Sequence, residues 1–228
     1  MPRVIAALVR HGDYRQLPGA PSAHQPFPLT DDGRQQARQA ATGLLLEAQR
    51  HGWCIAEEIH SSMLLRAWET ASIMADRLEN AHRVRTYPDL AERSVGSAAN
   101  LTVKQIEAII HEDPRYDRLP EDWKSKSDFC LPLQGAESLM QAGNRVANHL
   151  LATMQELAQQ VRKDTVKVFV GHGAAMRHAA YILGVLCFED VARLSMYHAA
   201  PVYLECREGR WEHVAGSWKI RDRINDLD

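Results

Sequence analysis

Two apolar segments that end in the same way constrain this chain more than any other feature. Val4–Val9 runs directly into Arg10-His11-Gly12, and Val166–Val170 runs into Gly171-His172-Gly173. The first is a continuous apolar run of strand length and the second is apolar but for Lys167, as expected for strands covered on both faces. In open α/β sheets the ligand crevice lies at the carboxyl ends of the strands. A histidine at each of two such ends can therefore converge on one ligand despite the distance between them in sequence. The neighbouring glycines remove side chains and permit close backbone approach.

The rest of the chain supplies the layers around those strands. Thr30, followed by Asp31 and Asp32, reads as an N-cap with acids in the first turn. The helix it opens carries Ala37, Ala41, Leu44, Leu45 and Ala48 on one face, and Gly52 stops it. Ile55–His60 is β-compatible and is closed by Ser61-Ser62. Leu64–Leu78 has helical spacing, and Val84–Tyr87 reads as an edge strand closed by Pro88. Glu137–Arg162 is a long helix, Thr165–Val170 the second buried strand, and Ala174–Gly184 the helix after it. Pro201–Cys206 and Trp211–Gly216 flank a hairpin turn.

This order predicts an α/β three-layer sandwich, with a mostly parallel central sheet, an antiparallel edge strand and helices on both faces. Residues 1–228 are expected to form one domain. The irregular stretch 91–135, with a short helix near Val103–His111 and Trp123, reads as an excursion from the core. Together with the loop at 13–29 it is expected to cover the site.

Composition narrows the function classes. A formal net charge of −2 over 228 residues offers no basic excess for nucleic acid. Cys54, Cys130, Cys187 and Cys206 form no CxxC pair, so reduced thiols in a cytoplasmic protein are expected in place of disulfides or zinc. Val4–Val9 is too short for a signal peptide core or a membrane span. The histidines have no HxxxH or HxH spacing, and nearby arginines would repel a cation, so neither metal nor other cofactor is expected. Trp53, Trp211 and Trp218 read as packing residues, and His24 and His198 as loop histidines, with the pocket rim as the alternative for His24 and an approach to the site for His198.

Neutral imidazole offers a lone pair near neutral pH, which suits His11 as a nucleophile. Attack on phosphorus requires its negative oxygens to be screened, a task for planar arginine forks. Arg10 adjoins His11, and Arg66 lies one turn into the helix after the second strand. A leaving alkoxide needs a proton; Glu92 in its loop and Asp13 beside the triplet are both candidates. The amide of Gly173, opening a helix, is a further phosphate donor. Tyr14 and Arg15 directly follow the nucleophile, where they could select a substrate.

A signature triplet and five further ordered blocks of the chain resemble the histidine phosphatase superfamily, which includes the phosphoglycerate mutases. Arg10-His11-Gly12 after an apolar strand is similar to its signature. Leu29–Ala37 resembles LTxxGxxQA, and Ser61–Ala71 resembles SSxLxRAxxTA, with Met63 where an acid or proline is common. Leu90-Ala91-Glu92 resembles the LxE segment, Gly135–Leu139 with Arg145-Val146 resembles GESL…RV, and Val168–Gly173 with Arg177 resembles VxHGxxxR. The resemblance implies a phosphoglycerate mutase-like fold. It implies that His11 takes the phosphoryl group while Arg10, Arg66 and His172 hold its oxygens, and that Glu92 protonates the leaving group and then activates water.

Departures bear on the substrate. Mutases continue the triplet with a Trp-Asn-containing run, whereas this chain has Asp13-Tyr14-Arg15-Gln16-Leu17. Arg93 after Glu92 is mutase-like, but 93–100 lacks the tryptophan often found there. The expectation is a metal-independent phosphatase acting on a phosphomonoester or phosphoprotein. A phosphoglycerate-type mutase is the alternative, and a catalytically silent phosphate-binding module a third. The expected partner is a small phosphorylated substrate or a phosphoprotein, with no nucleic acid and no membrane. A dimer is one option for the assembly.

Overall fold

The computed structural model describes residues 2–78 and 83–221. In chain order the elements are β1 (Val4–Arg10), α1 (Asp31–His51), β2 (Cys54–Ile55), β3 (Glu58–Ser62), α2 (Leu65–Arg77) and β4 (Arg83–Tyr87). Then come α3 (Val103–Glu112), α4 (Leu139–Gln160), β5 (Thr165–Gly171), α5 (Gly173–Ile182), α6 (Phe188–Arg193), β6 (Leu194–Ser195), β7 (Val202–Arg207), β8 (Arg210–Ala215) and β9 (Lys219–Ile220). The main sheet has the order β4-β3-β5-β1-β7-β8, with β2 also on β5. Pairing is parallel from β4 to β1 and antiparallel through β7 and β8. The antiparallel edge is therefore the two-stranded hairpin.

Strand alternation divides the apolar residues between two layers. Ile5, Ala7 and Val9 of β1 join Val166, Val168 and Val170 of β5 under α1 and α2. Val4, Ala6, Leu8 and Phe169 point the other way, against Val146 and Leu150 of α4 and Ala175 and Ala179 of α5. So β1 is followed by a helix on one face and its neighbour β5 by a helix on the other. That reversal opens a crevice at the carboxyl ends of the two strands.

Local signals set the element ends. Thr30 Oγ1 accepts from the Gly33 amide at 3.0 Å, and Gly52 adopts the left-handed conformation at φ 70°. The expected strand Ile55–His60 is instead two segments. Ile55 pairs with Val166 and His60 with Phe169, so six residues on one side span four on β5. The excess bulges at Ala56-Glu57, and the strand then runs on through Ser62, opposite Tyr87. In 91–135, Val95, Ala98, Ile106, Trp123 and Leu131 form a separate apolar cluster that also takes in Ala23 from the first loop. Among the described residues no helix is long and apolar enough to cross a membrane.

Candidate active site

Parallel pairing sets Arg10 opposite Gly171, and the His11 amide donates to the Gly171 carbonyl at 2.9 Å. The next residues, His11 and His172, therefore meet, with ring centroids 5.1 Å apart. His11 is 1% exposed and His172 fully buried. Between them lies Arg66, also fully buried. Its Nε donates to His11 Nε2 at 3.1 Å and its Nη2 to His172 Nδ1 at 3.2 Å.

These bonds identify the tautomers, because guanidinium can only donate. His11 must present its lone pair at Nε2, leaving Nδ1–H to donate to the Gly12 carbonyl at 2.8 Å. His172 must present its lone pair at Nδ1, while Nε2–H donates to Ser62 Oγ at 2.8 Å. Burial first, then Arg66, His172 and Arg10, holds His11 well below the ordinary imidazole pKa. His172 is lowered likewise by burial, then by Arg66, His24 and Arg10. Both rings are neutral at neutral pH.

The sequence blocks around His11 act largely as its mounting. The Gly12 amide donates to Thr70 Oγ1 at 3.0 Å, and that hydroxyl donates to the Arg66 carbonyl at 2.7 Å. A Cβ on Gly12 would stand 2.5 Å from the Gly33 carbonyl oxygen, and one on Gly33 would stand 1.9 Å from that of Asp13. Gly12 is thus glycine because α1 comes against it, whereas the sequence suggested room for a ligand. Asp13 is drawn into the same joint: its amide donates to Gln36 Oε1 at 2.8 Å, and its carboxylate accepts from Thr30 Oγ1 at 2.7 Å.

A cavity of about 280 Å³ opens beside His11. Arg10, His11, Glu92, Arg93 and Gly173 all line it, and Asp13 does not. Pro21, Ser22 and Ala23 from the first loop, Glu121, Asp122, Lys124 and Ser125 from the 91–135 stretch, and Leu139 at the start of α4 also wall it. Arg10 Nη1 donates to the Met196 carbonyl at 3.0 Å. Glu92 Oε1 accepts from the amides of Arg93 at 2.9 Å and Ala175 at 3.2 Å, which ties it to the start of α5. The Gly173 amide, first in that helix, has no partner within it by helix geometry. Arg93 is buried, its guanidinium 5.8 Å from the Trp123 ring centroid, and burial lowers its pKa.

Three predicted site residues stand one layer back from the cavity wall. Arg66 and His172 touch His11 from behind, because the Arg66 guanidinium is also bonded to the carbonyls of Ser22, Ala23 and Gln25 at 2.8–3.0 Å. Tyr14, expected to contact substrate, is instead buried edge-on to His11 at 5.2 Å and lies 4.5 Å under Arg66. Its hydroxyl is bonded to Ser22 Oγ at 2.8 Å. The aromatic ring supports the two groups that flank it.

Other residues gain a place that their sequence context did not signal. His198, expected to be a loop histidine, bridges to Arg10 and sits 5.6 Å from His11, ring to ring. His24 Nε2–H donates to the Glu92 carbonyl at 2.9 Å. Arg177 is 3% exposed, lines the cavity and donates to the Leu194 carbonyl at 2.7 Å. Its motif position was the available signal; for His198 the signal was only its place before the last strand pair, which allowed an approach to the site. A larger groove of about 570 Å³ lies elsewhere, at β2, β3 and α4, but Glu57, Glu58 and Glu156 line it. Those three carboxylates outnumber Arg85 and Lys167 there, whereas five cationic side chains face three carboxylates in the strand-end cavity, so the balance of charge favours a phosphate at the latter.

Fold and site together define an α/β protein with a strand-end cleft in which two neutral histidines, several arginines and the carboxylate of Glu92 lie beside space for a small anion. A profile of the histidine phosphatase superfamily (branch 1) matches residues 6–218, and the chain belongs to that superfamily. Solved structures with the same fold include a mycobacterial glucosyl-3-phosphoglycerate phosphatase complexed with VO3: TM-score 0.64, 24% identity, covering 96% of this chain and 98% of that one. An alpha-ribazole phosphatase from Shigella flexneri gives 0.69 at 18% identity, covering 93% and 95%. A phosphoglycerate mutase from Bacillus anthracis gives 0.70 at 17%, covering 94% and 92%. The search of curated proteins returned no match.

Proposed function

We propose that the chain is a phosphatase that hydrolyses a small phosphomonoester through a phosphohistidine on His11. The observation that carries this is the orientation of His11. Its Nδ1–H is fixed on the Gly12 carbonyl, its Nε2 holds a lone pair, and Glu92 stands on the wall of the same cavity.

In the first step His11 Nε2 attacks phosphorus and the P–O ester bond breaks. The leaving oxygen takes the proton of the Glu92 carboxyl group. In the second step water attacks the phosphorus, giving its proton to the Glu92 carboxylate; the N–P bond breaks and its electron pair returns to His11. A phosphoryl group arriving at Nε2 must displace the Arg66 Nε–H bond, and its oxygens then accept that N–H. Arg10 and the Gly173 amide supply further donors, and the neutral His172 holds the Arg66 fork in place through Nδ1. No metal ion or other cofactor is needed for either step.

Two features favour a small molecule over a phosphoprotein: the modest cavity volume and the residues of 21–23 and 121–125 that wall it. The neighbours act on glucosyl-3-phosphoglycerate and alpha-ribazole phosphate by name, which fits a phosphorylated metabolite. The mutase reading has Glu92-Arg93 in its favour, and the run at 13–17 weakens it. We read the chain as one domain with 91–135 as cover for the site, in the cytoplasm, with no nucleic-acid or membrane partner.

Trapping with radiolabelled substrate tests the mechanism. The label should be acid-labile, base-stable and absent from His11→Ala. Acid-stable, base-labile label would refute a phosphohistidine. Product analysis with 3-phosphoglycerate, with and without bisphosphoglycerate, separates hydrolysis from phosphate return.

A further inference from the structure

The GESL…RV block reaches the cavity wall only through Leu139, yet its Glu137 and Arg145 are bonded to the segment that carries Glu92. That segment has little structure of its own: a single 3-10 turn at Pro88–Leu90, then irregular backbone through 94. Arg145, on α4, reaches across to it. Nη1 donates to the carbonyls of Asp89 at 2.8 Å, Ala91 at 3.1 Å and Pro88 at 3.4 Å, and Nη2 to that of Glu92 at 3.4 Å. The other edge of the guanidinium forms a two-pronged bond with Glu137, Nε to Oε1 at 2.8 Å and Nη2 to Oε2 at 2.7 Å. Glu137 in turn holds Ser94: its Oε2 accepts from the Ser94 amide at 3.1 Å, and its own amide donates to the Ser94 carbonyl at 2.9 Å.

We propose that Arg145, braced by Glu137, is the positioning residue for Glu92 as proton donor. It rests on the phosphatase reading above. One planar cation gathers four carbonyls on the near side of Glu92, and its partner carboxylate fixes the backbone two residues beyond. Glu92 is thus held from both directions, with His24 bonded to the same carbonyl from the first loop. Every face of the guanidinium is engaged by protein, so Arg145 has no donor left for a substrate. Lysine cannot substitute, because a point charge lacks the fork that reaches carbonyls and carboxylate together. Misplacing a catalytic group by about 1 Å costs on the order of 10²-fold in rate.

The test uses kcat/KM for a series of phosphate esters, since that ratio reports only steps up to phosphohistidine formation. An alkyl phosphate needs the proton from Glu92; 2,4-dinitrophenyl phosphate, with its stable leaving anion, does not. Arg145→Lys and Glu137→Gln should lose about 30- to 100-fold on the alkyl ester and less than about threefold on the dinitrophenyl ester. Glu92→Gln should show the same pattern, more strongly. Equal losses on both esters, or none on the alkyl ester, would overturn the proposal, the first by making Arg145 merely structural. If Glu92→Gln itself shows no leaving-group dependence, the proton-donor assignment fails first. Thermal melts identify a variant that is simply unfolded, in which case the milder Glu137→Gln carries the test.

Discussion

The sheet holds two histidine pairs, and they differ in what their nitrogens face. His11 and His172 lie at strand ends with ring centroids 5.1 Å apart. His60 on β3 and His149 on α4 have centroids at the same separation, farther down the sheet. Both pairs are buried and neutral; His60 is pushed down to about 2 by burial, then by Lys167, His149 and Arg85. In the inner pair, His60 Nε2–H donates to Glu58 at 2.8 Å, and His149 Nε2–H donates to His60 Nδ1 at 2.9 Å. Phe169 closes edge-on at 5.5 Å. Those nitrogens are consumed by a carboxylate and by each other. In the outer pair the lone pairs face a guanidinium beside a cavity, where an anion can replace one contact with another. Depressed basicity and nearby cations are therefore common to both pairs; the donating guanidinium and the adjoining cavity set apart the pair at the strand ends, which we propose as the phosphate site.

The comparison can be broken most directly at His11. His11→Ala should lose on the order of 10⁴-fold or more in kcat, as removal of a covalent nucleophile does elsewhere; steady-state hydrolysis checks it, and near-normal turnover would dissolve the distinction between the pairs. Arg66→Lys comes next. It keeps the charge and loses the fork, and should cost on the order of 10²- to 10³-fold in kcat/KM, read with an aryl phosphate.

Acid should then weaken both pairs together. A histidine whose folded pKa lies below 6.5 takes up its proton more readily in the unfolded chain, so stability is full above pH 6.5 and falls as pH drops below it. The loss is about 1.4 kcal/mol per pH unit for each such residue. His11, His172, His60 and His178, the last near 4, should add. Urea unfolding at pH 7 and pH 5 measures the sum, and equal midpoints would contradict the buried neutral state. The smallest effect on turnover belongs to His149→Phe. It should leave kcat/KM within about threefold while costing about 1–3 kcal/mol of stability, because His60 Nδ1 loses its donor.

What could be read from the chain alone follows the range of the interactions. β1, β5 and the start and stop of α1 were legible, since Val4–Val9, Thr30 and Gly52 act through near neighbours. Arg10, His11, Glu92, Arg93 and Gly173 do share a cavity wall, but that meeting depends on β1 lying beside β5. Tyr14 stood next to His11 in sequence and was expected at the substrate; its ring turned inward under Arg66, which no local pattern encodes. The bulge at Ala56-Glu57, the His60–His149 pair and the place of His198 arise from contacts distant in sequence. The same holds for Arg145, whose motif marked it but whose partners at 88–92 appear only in the folded chain.

Arg66 in the resting protein is already fully engaged, with two histidine lone pairs and three loop carbonyls as acceptors. A phosphate that enters must exchange with those acceptors, where an open arginine would only shed water. The net gain per exchanged bond is small. Once the ester is cleaved, the loop carbonyls and His11 compete to recover the guanidinium and so help to expel inorganic phosphate. On the proposed mechanism, the same wiring that orients His11 between turnovers predicts weak inhibition by inorganic phosphate.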